Sequence, residues 1–306
     1  MKVYVNRQPV TGPWGGGNKT LTELCKQIVD AGHELVYSLA DNDIDLIFCF
    51  DPRPNNKGEW YQTMLNYKIH HGTPIIQRVG DCGTHGKPEL TSLVKETVKH
   101  SNFIIFPSQW ACEVIGYEGA NYEVIPNAPL PIFHDFKRAE STNKKVKVVT
   151  HHWSPNPKKG YALYEQLDKY IANNDWLSFT YIGQWPIAYL PKNSEYYKPT
   201  GDNTFISEKI SECDIYLTAS EEEAGANHVL EGMACGLPVV YHNNGGSIPE
   251  YCGKYGVGFD SFEQMIDGIK EVNANYSKYK ESVLGYEDQV PKAVSRYMEI
   301  INELSS

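Results

Sequence analysis

The sequence predicts an α/β protein made of two successive Rossmann-like halves, and three observations carry that prediction. The chain has 306 residues, long for one domain and right for two of about 150. Short β-branched runs alternate with longer helical patterns along its whole length, the pattern of parallel α/β units. A polar, basic-flanked stretch near 137–145, including Lys137-Arg138 and Ala139-Glu140-Ser141-Thr142-Asn143, separates the two series and reads as a solvated linker. With 41% apolar, 22% charged and 12% aromatic residues, either half can bury a core and the chain is not a disordered one.

In the first half, runs rich in Val, Ile, Phe and Tyr predict strands at 2–6, 34–38, 44–50, 74–78, 102–106 and 122–125. Helices fit between them near 18–31, 57–71, 88–99 and 108–117. After the linker, strands are expected at 146–150, 178–182, 214–218 and 237–241, with helices near 158–172, 226–235, 246–252 and 261–273. A last helix, 289–303, carries Val290, Val294, Tyr297, Met298, Ile301 and Leu304 at three- and four-residue steps. The expected divisions are therefore 1–140, 141–288 and 289–306.

Composition disfavours several classes of function. No window approaches 18 uninterrupted apolar residues, so no transmembrane helix is expected, and the strand-like start Met1-Lys2-Val3-Tyr4-Val5 lacks the apolar run of a secretory signal. The seven cysteines (25, 49, 82, 112, 213, 235, 252) are odd in number and contain no C-x-x-C pair. That points to reduced thiols in a cytoplasmic protein, away from a disulfide framework or structural zinc. Residues 1–150 carry 16 Lys/Arg and 16 Asp/Glu, whereas residues 151–306 carry 12 and 22, so the net −10 lies in the second half. Neither a basic face for nucleic acid nor a basic amphipathic helix for a membrane surface is expected.

In open parallel sheets, ligands bind outside the carboxyl ends of the strands. The most informative stretch, from Ser220 to Val240, runs from a strand end through Glu221-Glu222-Glu223 and Ala224-Gly225-Ala226 into a helix, then a glycine stop and a buried strand. Small residues there let a ligand approach the backbone. The N–H groups of the helix start at Asn227, His228 and Val229, with the helix dipole, favour a phosphate or diphosphate. Glu231 lies on the same helix face as Asn227 and His228, where a carboxylate can accept ribose hydroxyls. Glu223 precedes the helix and is placed to meet whatever the diphosphate carries. The competing reading is that these acids only cap a helix N-terminus.

Glu223-x7-Glu231, followed by Gly232-Met233-Ala234-Cys235-Gly236-Leu237-Pro238-Val239-Val240 and Gly245-Gly246-Ser247-Ile248-Pro249-Glu250, resembles the signature of GT-B glycosyltransferases of the GT4 type, which are retaining and nucleotide-sugar-dependent. The resemblance implies two Rossmann-like domains facing across a cleft, the first on the acceptor side and the second on the donor side, with the last helix crossing back to brace the first. It implies Glu231 at the donor ribose and Glu223 near the reacting face of the sugar. The segment Val148-Val149-Thr150-His151-His152-Trp153-Ser154-Pro155-Asn156-Pro157-Lys158-Lys159-Gly160 is similar to the one carrying the family's Arg and Lys-Gly pair, both cations serving the diphosphate. Lys159-Gly160 matches the pair. The Arg position falls on or near Ser154, which leaves His151, His152 or Lys158 to supply that charge, unless the histidines are ordinary loop residues. Gly12-Pro13-Trp14-Gly15-Gly16-Gly17-Asn18 is similar to the family's glycine loop, with Gly16 and Gly17 as donor contacts; read alone it is a tight turn.

Other candidates lie at further strand ends. Arg78 and Asp81 could meet the donor phosphate or the acceptor hydroxyl, or could form a structural ion pair. No histidine sits directly at a first-half strand end, where family members often have one. Val124-Ile125-Pro126-Asn127-Ala128 resembles the family's V-I-x-N-G turn, with Asn127 as a turn residue. Gly183, which ends a second-half strand, is expected to contact the donor, and beyond it Trp185, Tyr189, Tyr196 and Tyr197 either stack on a base or sugar or pack the loop.

The expected activity is transfer of a sugar from a UDP- or GDP-sugar to a hydroxyl acceptor of glycan, polysaccharide or lipopolysaccharide type, with no required cofactor and no carboxylate cluster at metal spacing. Alternatives are a non-catalytic nucleotide-binding module, a sugar-nucleotide epimerase, or a nicotinamide oxidoreductase, although no G-x-G-x-x-G follows any strand. The sequence leaves the base, the sugar, the acceptor and the oligomeric state open.

Overall fold

The computed structural model describes residues 1–12, 15–137, 145–186 and 188–304. Pro13 and Trp14 of the glycine loop and linker residues 138–144 lie outside them. Among the described residues, all strand pairing is parallel and forms two six-stranded sheets. The chain divides into unit 1 (Met1–Thr11, Gly16–Asn127 and Val290–Ser306) and unit 2 (Gly12–Gly15 and Ala128–Gln289).

Unit 1 holds β1 (Lys2–Val5), β2 (Glu34–Val36), β3 (Leu46–Cys49), β4 (Ile75–Arg78), β5 (Phe103–Phe106) and β6 (Tyr122–Val124), in the order β2-β1-β3-β4-β5-β6. Its helices are α1 (Gly16–Asp30), α2 (Tyr61–His71), α3 (Pro88–Thr97), α4 (Gln109–Ile115) and, from the end of the chain, α12 (Val290–Glu303). Helix α2 starts later than its apolar pattern suggests, because the Asn55 side chain accepts the Lys57 and Glu59 N–H groups and folds 55–59 into a turn. Ser108 caps α4 through the Ala111 N–H, and left-handed Gly116 ends it. Helix α12 packs on α1, its Tyr297 ring stacks on Phe48 of β3, and Arg296 pairs with Glu123 of β6 at 2.8 Å.

Unit 2 holds β7 (Val146–His152), β8 (Leu177–Gly183), β9 (Glu195–Tyr197), β10 (Ile215–Thr218), β11 (Val239–His242) and β12 (Gly256–Phe259), in the order β12-β11-β10-β7-β8-β9. Its helices are α5 (Ile132–Asp135), α6 (Tyr161–Ile171), α7 (Asn203–Ser211), α8 (Asn227–Ala234), α9 (Ser247–Cys252), α10 (Phe262–Ala274) and α11 (Tyr276–Leu284). Alternate residues of each strand enter opposite cores. Val149, Tyr216 and Val239 join one with α8 and α9, while Val148, Ile215, Leu217 and Val240 join the other with α6 and α10. The chain winds outward from β7 through β8 to β9, then returns to the other side of β7 as β10. The direction of winding therefore reverses between β7 and β10.

Strands β9 and β12 and helices α5, α7 and α11 are additions to the sequence reading. Two glycines disguise β12: a Cβ at Gly256 would overlap the Val239 carbonyl, which requires glycine there, while one at Gly258 would displace the Asn243 side chain. Helix α7 is started by Asp202, whose carboxylate accepts the Thr204 and Phe205 N–H groups.

Candidate active site

In unit 2 the carboxyl ends of β7 and β10 lie side by side where the winding reverses, the position at which open α/β sheets bind ligands. Strand β7 runs two residues further than expected and includes both histidines. Neighbouring residues of a strand point to opposite faces, so His151 and His152 enter different surroundings. His152 is buried, with Nε2 at 2.8 Å from the Tyr164 hydroxyl, which also accepts the Ala219 N–H. Burial lowers its imidazole well below the ordinary 6.5. Burial and the Tyr164 contact thus favour the neutral ring, which weighs against His152 among the three residues considered for the missing cation. His228 is likewise buried, 2.9 Å from the Thr218 hydroxyl, and desolvation lowers it to about 3. The two neutral rings meet edge to face, 4.8 Å apart.

His151 faces α8. Its Nε2 lies 2.6 Å from Glu231 Oε2, and its Nδ1 is 2.8 Å from the Tyr216 hydroxyl. Glu231 is itself buried, with 5% of its side chain exposed.

The loop after β10 is clamped on both sides. The Glu221 N–H donates to the Lys158 carbonyl, and the Glu222 and Glu223 N–H groups donate to the Asn244 and Gly245 carbonyls. The Ser247 N–H returns a bond to the Glu223 carbonyl, at 2.8 Å. Glu222 is held left-handed at φ 53°, a strained conformation for a non-glycine residue. Lys158 pairs with Glu222 at 2.7 Å and Lys159 with Glu223 at 2.5 Å. Gly160, at φ 84°, must be glycine twice over, since a Cβ there would overlap the Ala219 carbonyl. This close approach brings the Lys158-Lys159 turn against the end of β10.

At the start of α8, Ala226 donates its N–H to the Ser247 hydroxyl. The Asn227 amide nitrogen and oxygen and the Ser220 hydroxyl are buried without a hydrogen-bond partner among the described residues. Val229 is completely buried in the core, so its side chain is excluded from ligand contact and only its backbone N–H remains as a candidate. Gly183 pairs with His152 across β7 and β8 at φ 132°, and a Cβ there would overlap the His152 carbonyl. Strand packing accounts for that glycine.

Glu223, Lys159, Asn227, His228 and Glu231 thus gather around one strand-end crevice of unit 2. The other candidates belong to unit 1. Arg78 is buried, donates from Nη2 to Asn127 Oδ1 at 2.8 Å and from Nε to the Tyr297 hydroxyl at 3.2 Å, and lies over the Phe50 ring. A guanidinium so engaged ties β4 to α12 and the Asn127 turn, a structural role that sits beside the expected one. Asp81 accepts the Gly83 N–H and pairs with Lys87 at 2.7 Å, an ion pair of the structural kind considered for it. Gly16 and Gly17 form the first turn of α1 and not a loop; Asn18 ties that turn to Val10 by two hydrogen bonds.

The aromatic run packs the loop. Trp185 meets Tyr181 at 4.4 Å, Tyr196 donates to the Gly183 carbonyl, and Tyr189 donates to Asp168. Asp168, fully buried on α6, also accepts from the N–H groups of Lys192, Asn193 and Ser194. Nothing in its spacing marks it in the sequence. Among the described residues, no group of three or more His, Cys, Asp or Glu is arranged to hold a metal ion, and no helix is long and apolar enough to cross a membrane.

Two six-stranded parallel sheets of this kind define the GT-B fold, and solved structures share it over the whole chain. HepE from Anabaena in complex with UDP-glucose superposes with a TM-score of 0.70 at 13% identity, covering 98% of this chain and 99% of that one. WaaG, a glycosyltransferase involved in lipopolysaccharide biosynthesis, gives 0.66 at 13% identity over 98% and 99%. Sucrose-phosphate synthase from Thermosynechococcus elongatus gives 0.67 at 12% identity over 99% of both chains. No curated protein is similar enough in sequence to count as a relative. Residues 144–275 match the family profile of the glycosyl transferases group 1. The chain thus has the GT-B fold, and within it residues 144–275 are similar to the glycosyl transferases group 1.

Proposed function

We propose that the protein is a retaining, GT4-type enzyme that transfers a sugar from a nucleotide diphosphate sugar, a UDP-sugar first and a GDP-sugar second, to a hydroxyl of a carbohydrate acceptor of the polysaccharide or lipopolysaccharide kind. The observation that carries the reading is the grouping of Glu223, Lys159 and Glu231 around the start of α8. The HepE complexes with UDP and UDP-glucose support the choice of base, and WaaG the class of acceptor.

In this reading the donor diphosphate sits on the α8 N-terminus, where backbone N–H groups and Lys159 stabilise the charge of the leaving group. Glu231 accepts ribose hydroxyls, and Glu223 lies by the transferred sugar. Attack by the acceptor oxygen on the same face as the departing diphosphate forms the new glycosidic bond as the anomeric C–O bond breaks, through an oxocarbenium-like state. The acceptor proton passes to the departing phosphate oxygen. The donor is the one small molecule the scheme requires. Seven buried cysteine thiols, none in a disulfide, favour a cytoplasmic setting.

Thermal unfolding against UDP, GDP, ADP, CMP and NAD, with Glu231→Ala alongside, tests this. A ligand at 100 times its Kd stabilises by about 2.7 kcal/mol. Stabilisation by one nucleoside diphosphate, lost in Glu231→Ala, is the expected result and names the base. A response to NAD alone would replace the proposal with an oxidoreductase; no response to any nucleotide would refute the donor site.

A further inference from the structure

We infer that His151 is a positioning residue for recognition of the donor ribose, acting through Glu231 and itself set by Tyr216; the inference rests on the donor-site reading above. A carboxylate only accepts hydrogen bonds, so the 2.6 Å contact with Glu231 Oε2 places a proton on His151 Nε2. The other ring nitrogen, Nδ1, is 2.8 Å from the Tyr216 hydroxyl, which also accepts the His151 backbone N–H at 3.2 Å. One hydroxyl thus holds the residue by both its ring and its backbone. Edge-to-face contacts with Tyr216 and His228, at 5.7 and 6.4 Å, box the ring.

An independent feature of α8 supports the same chain. Gly232, the residue directly after Glu231, lies against the Tyr216 ring, and a Cβ there would overlap Tyr216 Cγ and Cδ2. The overlap is with the root of the side chain and cannot be relieved by a swing of its tip. The glycine therefore lets Tyr216 stand where its hydroxyl meets His151. Tyr216 and Glu231 are both buried, and hydrogen bonds in such surroundings hold orientation firmly. A carboxylate anchored on one oxygen by an imidazole presents a fixed direction to vicinal hydroxyls. His151 thereby determines preference for a ribonucleotide, without touching the donor.

The test compares UDP with 2′,3′-dideoxy-UDP, by calorimetry or thermal shift, in the wild-type protein and in His151→Ala, His151→Gln and Tyr216→Phe. Wild type should prefer UDP by tenfold or more, roughly the effect of a hydrogen-bonded hydroxyl pair. His151→Ala should weaken UDP by about tenfold while dideoxy-UDP changes less than about twofold. Gln carries an N–H near the Nε2 position, so His151→Gln should restore most of the preference. Tyr216→Phe, which removes one oxygen, should lose part of it and serves if His151→Ala does not fold. Equal weakening of both nucleotides by His151→Ala would mean a merely structural role, and unchanged UDP affinity would mean none; either overturns the inference. Wild type that binds UDP without preferring the ribose would remove Glu231 from the ribose and the inference with it. Wild type that fails to bind UDP at all overturns the donor reading itself, before any variant is made.

Discussion

Lowering the pH from 7 to 5 should destabilise unit 2 through two histidines that fold as neutral rings. His152 and His228 are buried, each against a hydroxyl, and they touch one another. Burial lowers His228 from 6.5 to about 3 and moves His152 well down in the same direction. The unfolded chain therefore takes up these protons first. Stability is complete above pH 6.5 and declines as the pH falls toward 3. Within that window His228 adds a slope of ~1.4 kcal/mol per pH unit and alone should remove roughly 2 kcal/mol by pH 5, with His152 adding in the same sense. That is an appreciable share of the 5–15 kcal/mol typical of a folded protein. His134, half-buried and also lowered by burial, adds in the same sense. Carboxylates titrate mostly below pH 5, so the window isolates the histidines. Urea unfolding at pH 7, 6, 5.5 and 5 measures the slope, and His228→Gln, which keeps a donor toward Thr218, should reduce it by ~1.4 kcal/mol per unit. Stability that stays flat from pH 7 to 5, or a slope that His228→Gln leaves intact, would refute the neutral-ring account.

Three further outcomes can be measured directly. Glu223→Gln should leave UDP affinity within about twofold while turnover of the UDP-sugar falls by about 100-fold, since the change removes a charge near the reacting sugar; loss of folding instead would make Glu223 structural. Asp168→Asn should cost about 1–3 kcal/mol in thermal unfolding and expose residues 188–194 to proteolysis. Although burial opposes ionisation of Asp168, hydrogen bonds from Ser194, Tyr189, Lys192 and Asn193 outweigh it and hold the carboxyl at about 2, so its contribution persists until the pH falls below about 4 toward 2. Gly160→Ala should cost about 1–3 kcal/mol in urea unfolding, because the new methyl meets the Ala219 carbonyl at a left-handed position.

Much of the fold is legible in the sequence. The alternation of strand and helix patterns predicts both sheets, and the run from Glu223 through Val240 predicts a strand-end loop, a helix and a buried strand where all three occur. Sequence reasoning fails where a residue's neighbour is remote. Arg78 stands at a strand end as a catalytic residue would, but its partners Asn127 and Tyr297 are 49 and 219 residues away. His151 and His152 are indistinguishable as a pair, and only the strand's pleat sends one to Glu231 and the other to Tyr164. Tyr216 reads as an ordinary core residue because its hydroxyl partner belongs to another strand. Glycine is ambiguous in sequence: at Gly256 and Gly183 close strand packing leaves no room for a Cβ, which spacing alone does not reveal.

The charge pattern of the crevice bears on how a diphosphate would be accommodated without an arginine at Ser154. Lys158 and Lys159 are paired with Glu222 and Glu223, and Glu221 lies 3.8 Å from Lys158. With the histidines at the strand ends engaged with Tyr164, Thr218 and Glu231, the crevice holds two lysines against four glutamates. A diphosphate brought there as added negative charge would be repelled if the pairs stayed as they are. It is accommodated if Lys159 exchanges Glu223 for the phosphate, while the α8 N-terminus takes the rest of the charge. In the proposed donor reading, Lys159, placed by Gly160 between the strand end and the acidic loop, would be the one side-chain cation of the pair to turn toward the diphosphate.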